Sequence, residues 1–316
     1  MSGLRPPRLQ PGMVIGVVAP SSPGFEPERI ALGVATLEQL GFCVTFGAHA
    51  FDHHGHLAGS DHDRADDLLT MLLRDDVDGI LCLRGGVGAL RTVLALDQRR
   101  LAQLATLPPK PFIGFSDITM LHGCFNAMLG WVTFYGPMLT NFAPPRLTDY
   151  TLAGFRRALM ETTPFDIAPS PDGAPVETIV SGVVEGEIVG GNLPSLNILA
   201  GTPWAFDFRG KILFVEAFRA DAGSLDNFFA DLLGKGLLQQ CADIVIGECF
   251  ESGTTGSDDV LSIAEIISEL VKPIGVPTLY NLPIGHGIHH GTVPIGVHAR
   301  LDATAGTLRI LESGVR

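Results

Sequence analysis

Short apolar runs alternate with longer amphipathic stretches through the first half of the chain. Val14–Ala19 reads as a strand, followed by the turn Pro20-Ser21-Ser22-Pro23-Gly24. Pro27 then opens a helix that stops at Gly41, the placement of proline and glycine that suits helix ends. Phe42–Phe46 is a second strand. Asp61 can cap a helix running to about Arg74, with Leu68, Leu69, Leu72 and Leu73 on its apolar face. Gly79–Leu83 is a third strand and runs into Arg84-Gly85-Gly86-Val87-Gly88. Pro111–Phe115 is a fourth, followed at once by a helix over Asp117–Leu129. Strands alternating with helices predict an α/β domain whose parallel sheet is covered by helices on both faces.

Beyond residue 160 the pattern is more mixed. Glu161–Val180 is rich in Pro, Asp, Thr and Ser without a sustained period. It reads as a linker region, giving a first domain at 1–165, a linker at 166–180 and a second domain at 181–316. Val183–Val189, Lys211–Val215 and Asp243–Gly247 read as strands, and Leu225–Leu233 and Asp258–Leu270 as helices. Val293–Ala299 and Thr307–Leu311, around the turn Ala305-Gly306, read as a hairpin. No repeat or low-complexity tract interrupts the chain.

Composition narrows the function classes. Of the 316 residues, 46% are hydrophobic and 17% charged, enough apolar surface for a sizeable core and too little charge for disorder. A net charge of −13 argues against a nucleic-acid partner, whose phosphates it would repel. The five cysteines are odd in number and widely spaced, which fits a reducing compartment better than a disulfide framework. No apolar run approaches a membrane span, and the N-terminal one is short enough to be a single buried strand. A soluble cytoplasmic protein is expected.

Candidate chemistry begins at Gly114-Phe115-Ser116-Asp117-Ile118. A serine between strand and helix stands at the carboxyl end of the sheet, where open α/β sheets bind ligands and a helix start offers free N–H groups. This resembles a nucleophile elbow, with Ile118 where the second glycine of G-x-S-x-G belongs. Read alone, this fragment favours Ser116 as a helix N-cap over a nucleophile. Gly85, Gly86 and Gly88 let backbone approach a ligand and can contribute an oxyanion donor, although an ordinary turn accounts for them too. His53, His54, His56 and His62 lie in the polar stretch Asp52–Asp63, whose spacing matches no metal-ligand pattern. His286, flanked by Gly285 and Gly287, suits a tight loop presenting one side chain. Glu216 ends an apolar strand, where a buried carboxylate needs a partner such as an imidazole N–H.

Taken together, these segments resemble the L,D-carboxypeptidases, a serine peptidase family that includes the microcin C immunity peptidases. The likeness runs over nearly the whole chain: Ala19-Pro20-Ser21, Arg64 to Asp67, Leu83 to Ala89, Gly114 to Thr119, Tyr135-Gly136-Pro137-Met138, Glu187 to Leu193, Gly201-Thr202-Pro203, Glu216, Gly285-His286 and Pro294-Ile295-Gly296. It implies a triad of Ser116, His286 and Glu216, with an oxyanion hole from the N–H groups of Gly86 and Asp117. It also implies a smaller, mixed β-rich C-terminal domain, a homodimer, no cofactor and no metal. The implied substrate is a murein stem peptide, from which terminal D-alanine is released during wall recycling. Arg84, beside Gly85, is a candidate to grip the substrate's carboxylate. Val87 stands where a tyrosine is common, Tyr135 where a histidine is common and Ala217 where an aspartate often follows. Ala220–Asn227 lacks the expected tyrosine- and arginine-containing motif. These departures leave two rivals: a hydrolase of peptidyl- or aminoacyl-nucleotide amides, and a non-catalytic peptide binder.

Overall fold

Burial follows sheet position in the first half of the chain. In the computed structural model, which describes residues 3–218, 220–250 and 261–316, five parallel strands form most of one sheet. They are β1 (Val14–Val18), β2 (Cys43–Phe46), β3 (Gly79–Cys82), β4 (Phe112–Gly114) and β5 (Thr133–Tyr135), in the order β5-β4-β3-β1-β2. The central β3 and β4 are buried at every position, as their unbroken apolar sequences require, whereas edge strand β2 exposes Cys43. The helix at Asp61–Leu73 is capped by Ser60 rather than Asp61: the Ser60 hydroxyl accepts the Asp63 N–H at 3.1 Å. Asp61 instead pairs with Arg64 and Arg91.

The segment read as a linker supplies two strands, β6 (Phe165–Ile167) and β7 (Glu177–Val180). Three or four residues are too few to show a period, and only Phe165 and Ile167 of β6 face inward. The remaining strands are β8 (Val183–Asn192), β9 (Ile212–Phe218), β10 (Asp243–Phe250), β11 (Thr278–Leu282), β12 (Val293–Ile295), β13 (Val297–Asp302) and β14 (Thr307–Ile310). A second, mixed sheet runs β6-β14-β13-β8-β9-β10-β11-β7, so the presumed linker forms both of its edges. Within it β8, β9, β10 and β11 are parallel neighbours.

The expected C-terminal hairpin is shorter than the sequence suggested. The apolar run from Val293 splits at Gly296, whose φ is +91°. Its first part, β12, crosses to the first sheet and pairs antiparallel with β5, while β13 pairs with β14 and β8. The helix expected at Leu225–Leu233 extends over Ala222–Gly234. Of the helix expected at Asp258–Leu270, residues 258–260 lie outside the described residues; what is described starts at Ile263, behind a Ser262–Glu265 capping box.

Candidate active site

Three chain segments meet where the two sheets adjoin. Ser116 follows β4, Glu216 lies within β9, and His286 sits on the loop between β11 and β12. Ser116 opens a short 3₁₀ turn, Ser116–Ile118, before the helix Thr119–Leu129, and its φ of +67° is one of two positive values among described non-glycine residues. This left-handed conformation is costly for a serine and turns the side chain out of the strand-to-helix corner.

The Ser116 Oγ lies 3.1 Å from His286 Nε2, and His286 Nδ1 lies 2.7 Å from Glu216 Oε2. A carboxylate only accepts, so Nδ1–H donates to Glu216 and the Nε2 lone pair faces the serine hydroxyl. Glu216 is fully buried. Its other oxygen accepts the Tyr135 hydroxyl at 2.6 Å and the Asn192 amide at 3.0 Å. Burial alone would raise this carboxyl, but the neighbouring His286 and these donors outweigh it and hold it below the usual glutamate range. The imidazole is stacked on Phe218 with ring centroids 4.4 Å apart and tilted against Phe115 at 4.8 Å. Gly285 makes the loop possible: its φ is +122°, and a β-carbon there would come within 2.6 Å of Glu216 Oε2. Such an array can shift a proton from an alcohol to an imidazole that is held in one tautomer.

The glycine turn is tied to the serine's neighbour. Asp117 accepts the Ser21 hydroxyl at 2.5 Å and the N–H groups of Gly86 at 2.9 Å and Ala89 at 3.2 Å. Burial raises the Asp117 carboxyl more than these bonds lower it. Of the two expected oxyanion donors, the Asp117 N–H has no protein acceptor among the described residues, whereas the Gly86 N–H is directed at the Asp117 carboxylate. Arg84 lines the cleft beside Gly85, donating to the Gly85 and Pro23 carbonyls and lying over the Phe25 ring. It forms no ion pair among the described residues.

The cleft over Ser116 has a volume of about 840 Å³. Phe25 and Val87 on its wall are more than half exposed, at 58% and 61%, so its rim is apolar. Three contributors escaped the sequence reading. Asn192 and Phe218 had no local signal beyond the Gly-Gly-Asn segment and a strand end. Arg146 sits in a proline-rich loop and donates to the Gly287 carbonyl at 3.0 Å. Tyr135, which belongs to a family-like segment but stands where a histidine is common, also accepts the Ser116 N–H on its hydroxyl at 3.1 Å.

The other histidines do not join this array. His122 is buried in the core and donates to the Gly114 carbonyl, and burial pushes it down to about 4. His289 contacts Thr148 and Asp172. His290 is buried against Phe115, its ring nitrogens have no hydrogen-bond partner among the described residues, and burial pushes it down to about 3. In the polar stretch, ligand-type atoms of His49, Asp52 and Asp63 lie within 4.8 Å of one another, with His49 hydrogen-bonded to Asp52 and Asp63 to Ser60. No described helix is long and apolar enough to cross a membrane.

Both halves of this architecture match one peptidase family. The LD-carboxypeptidase N-terminal domain matches residues 15–136 and the LD-carboxypeptidase C-terminal domain matches residues 185–301. The chain belongs to this family, and is thus a hydrolase of the carboxypeptidase type. Among its relatives, a Bacillus subtilis protein named "Probable murein peptide carboxypeptidase" is 34% identical over 98% of this chain and 95% of its own length. The murein tetrapeptide carboxypeptidase of Pseudomonas aeruginosa is 30% identical over 91% and 92%. A solved apo structure of the microcin C7 self-immunity protein MccF, a protein known from Escherichia coli, superposes with a TM-score of 0.89 at 25% identity, covering 99% of this chain and 100% of that one.

Proposed function

We propose that this protein is a serine-type L,D-carboxypeptidase that releases a C-terminal D-amino acid from a murein stem peptide. The observation that carries the reading is the unbroken hydrogen-bonded line from the Ser116 hydroxyl through His286 to Glu216. As Ser116 Oγ attacks the carbonyl before the terminal residue, its proton passes to His286 Nε2 and a carbon–oxygen bond forms. The carbon–nitrogen bond then breaks, His286 returns the proton to the departing amine, and water releases the acyl group by the reverse sequence. The Asp117 N–H serves the tetrahedral oxygen, and the Gly86 N–H joins it by sharing or leaving the Asp117 carboxylate. Loss of one such donor costs about 3–4 kcal/mol in comparable sites. The five unpaired cysteines suit a reducing cytoplasm, and a homodimer is the expected assembly.

Mass spectrometry of a murein tetrapeptide incubated with the protein tests the reading. The wild type should yield tripeptide and free D-alanine, and Ser116→Ala should lose turnover by at least a thousandfold. Cleavage that persists in Ser116→Ala would remove the serine mechanism. A second reading, hydrolysis of an aminoacyl-nucleotide amide, is favoured by the likeness to MccF and by the exposed Phe25 ring on the cleft wall. Faster turnover of aminoacyl-sulfamoyl adenosine than of tetrapeptide would select it.

A further inference from the structure

The cleft holds four guanidinium groups of unequal standing. Arg91 is paired with Asp61 at 2.8 Å and Arg29 with Glu26 at 3.3 Å. Arg84 and Arg146 have no carboxylate within ion-pair distance among the described residues. They are also held by different elements of the site, one beside each partner of the proton transfer. Arg84 is anchored to the glycine turn, through Gly85 and Pro23. Arg146 is anchored to the histidine loop, through the carbonyl of Gly287, the residue after His286.

The chemistry distinguishes these two places. His286 must hand its proton to the departing amine, so that nitrogen has to lie within hydrogen-bonding reach of Nε2. The carboxylate of a terminal amino acid is only two bonds from its nitrogen. A cation that reads this carboxylate therefore belongs beside His286, not beside the oxyanion donors. We propose that Arg146 binds the carboxylate of the departing D-amino acid and so makes the enzyme a carboxypeptidase. The proposal rests on the serine mechanism above and reassigns the role first expected of Arg84, which is left facing the acyl portion of the peptide.

The surroundings of Arg146 agree with an anion arriving from outside. Burial lowers its basicity, and Arg29 adds repulsion. Glu248 and Glu216 act on it only through space. Glu216 is committed to His286, Tyr135 and Asn192, and burial raises Glu248 to about 7, so at neutral pH it offers only part of a charge. One guanidinium N–H is spent on Gly287, leaving others free for a bidentate grip.

The test uses binding, so it does not depend on turnover. Calorimetry on Ser116→Ala compares a tetrapeptide ending in D-alanine with the same peptide ending in D-alaninamide. The acid should bind roughly ten- to hundredfold more tightly, as expected for a charged hydrogen-bonded pair. Adding Arg146→Gln should shrink that preference to about twofold or less, and adding Arg84→Gln should leave it standing. Arg146→Lys, which keeps the charge but not the fork, should fall between, and it decides the matter if the glutamine variant does not fold. The proposal is overturned if acid and amide bind Ser116→Ala alike, if the preference survives Arg146→Gln, or if Arg84→Gln abolishes it. Failure of the serine mechanism would show separately, as cleavage of the acid by Ser116→Ala.

Discussion

Asp243→Asn replaces a carboxyl by an amide of the same shape at the start of β10, where the side chain is fully buried and neither oxygen has a hydrogen-bond partner among the described residues. Burial lifts this carboxyl from 3.8 to about 8. The sign follows from proton counting. Between those two values the folded protein keeps a proton that the unfolded chain has released, so stability falls as pH rises. The contribution is fullest below 3.8 and is exhausted by about pH 8. Its slope is about 1.4 kcal/mol per pH unit, so the step from pH 5 to pH 7 costs about 2.7 kcal/mol. At the unfolding entropy usual for a chain this long, that corresponds to about 4 °C in Tm. Asparagine cannot titrate and removes the slope whatever it does to absolute stability. His122 and His290, pushed down to about 4 and about 3, pull the opposite way below neutrality, but they are common to both proteins and cancel in the difference. Thermal melts of wild type and variant from pH 5 to pH 7.5 measure it. The Tm of the variant relative to wild type should climb steadily with pH, and two curves that run parallel within about 1 °C would refute an unpaired buried acid at this position.

Two further substitutions probe the relay itself. Tyr135→Phe removes a donor to Glu216 and the acceptor of the Ser116 N–H, so kcat should fall roughly tenfold or more with KM nearly unchanged. Because the lost donor helped hold the Glu216 carboxyl down, the acid limb of the rate profile should also move to higher pH; an unmoved limb would make the hydroxyl a passive filler. Gly285→Ala puts a β-carbon 2.6 Å from Glu216 Oε2 at a φ of +122°, so labelling of Ser116 by a serine-reactive phosphonate should slow at least a hundredfold. Labelling at the wild-type rate would mean that the loop can rearrange around the methyl group.

The parallel strands were legible because burial on both faces leaves an unbroken apolar run, as in Ile80–Leu83. The serine was legible because a strand end meets a helix start there, and the glutamate because an acid closes an apolar strand. Their association was not. The contacts that make the site span 170 residues from Ser116 to His286, 70 from Glu216 to His286 and 81 from Tyr135 to Glu216. No local period encodes such distances, and only the family resemblance joined the three. The strands in 161–180 were illegible for a different reason: they are edge strands too short to alternate. Arg146 was hidden because its partner is a backbone carbonyl 141 residues away, and any residue can offer a carbonyl.

The split at Gly296 explains how such distant residues keep hydrogen-bonding geometry. The loop carrying His286 leaves β11, in the second sheet, and re-enters the structure as β12, in the first. Both ends of the loop are therefore fixed by strand pairing, one in each sheet. Val293 of β12 pairs with Tyr135 of β5, whose hydroxyl in turn reaches both the Ser116 backbone and Glu216. The serine side and the carboxylate side are thus tied through the same tyrosine that registers the histidine loop. An imidazole held in this way, flanked by Phe218 and Phe115, is oriented before any substrate arrives. Its alignment is a property of the join between the sheets, so a substitution that loosens β12 from β5 should impair the relay without touching any of its three members.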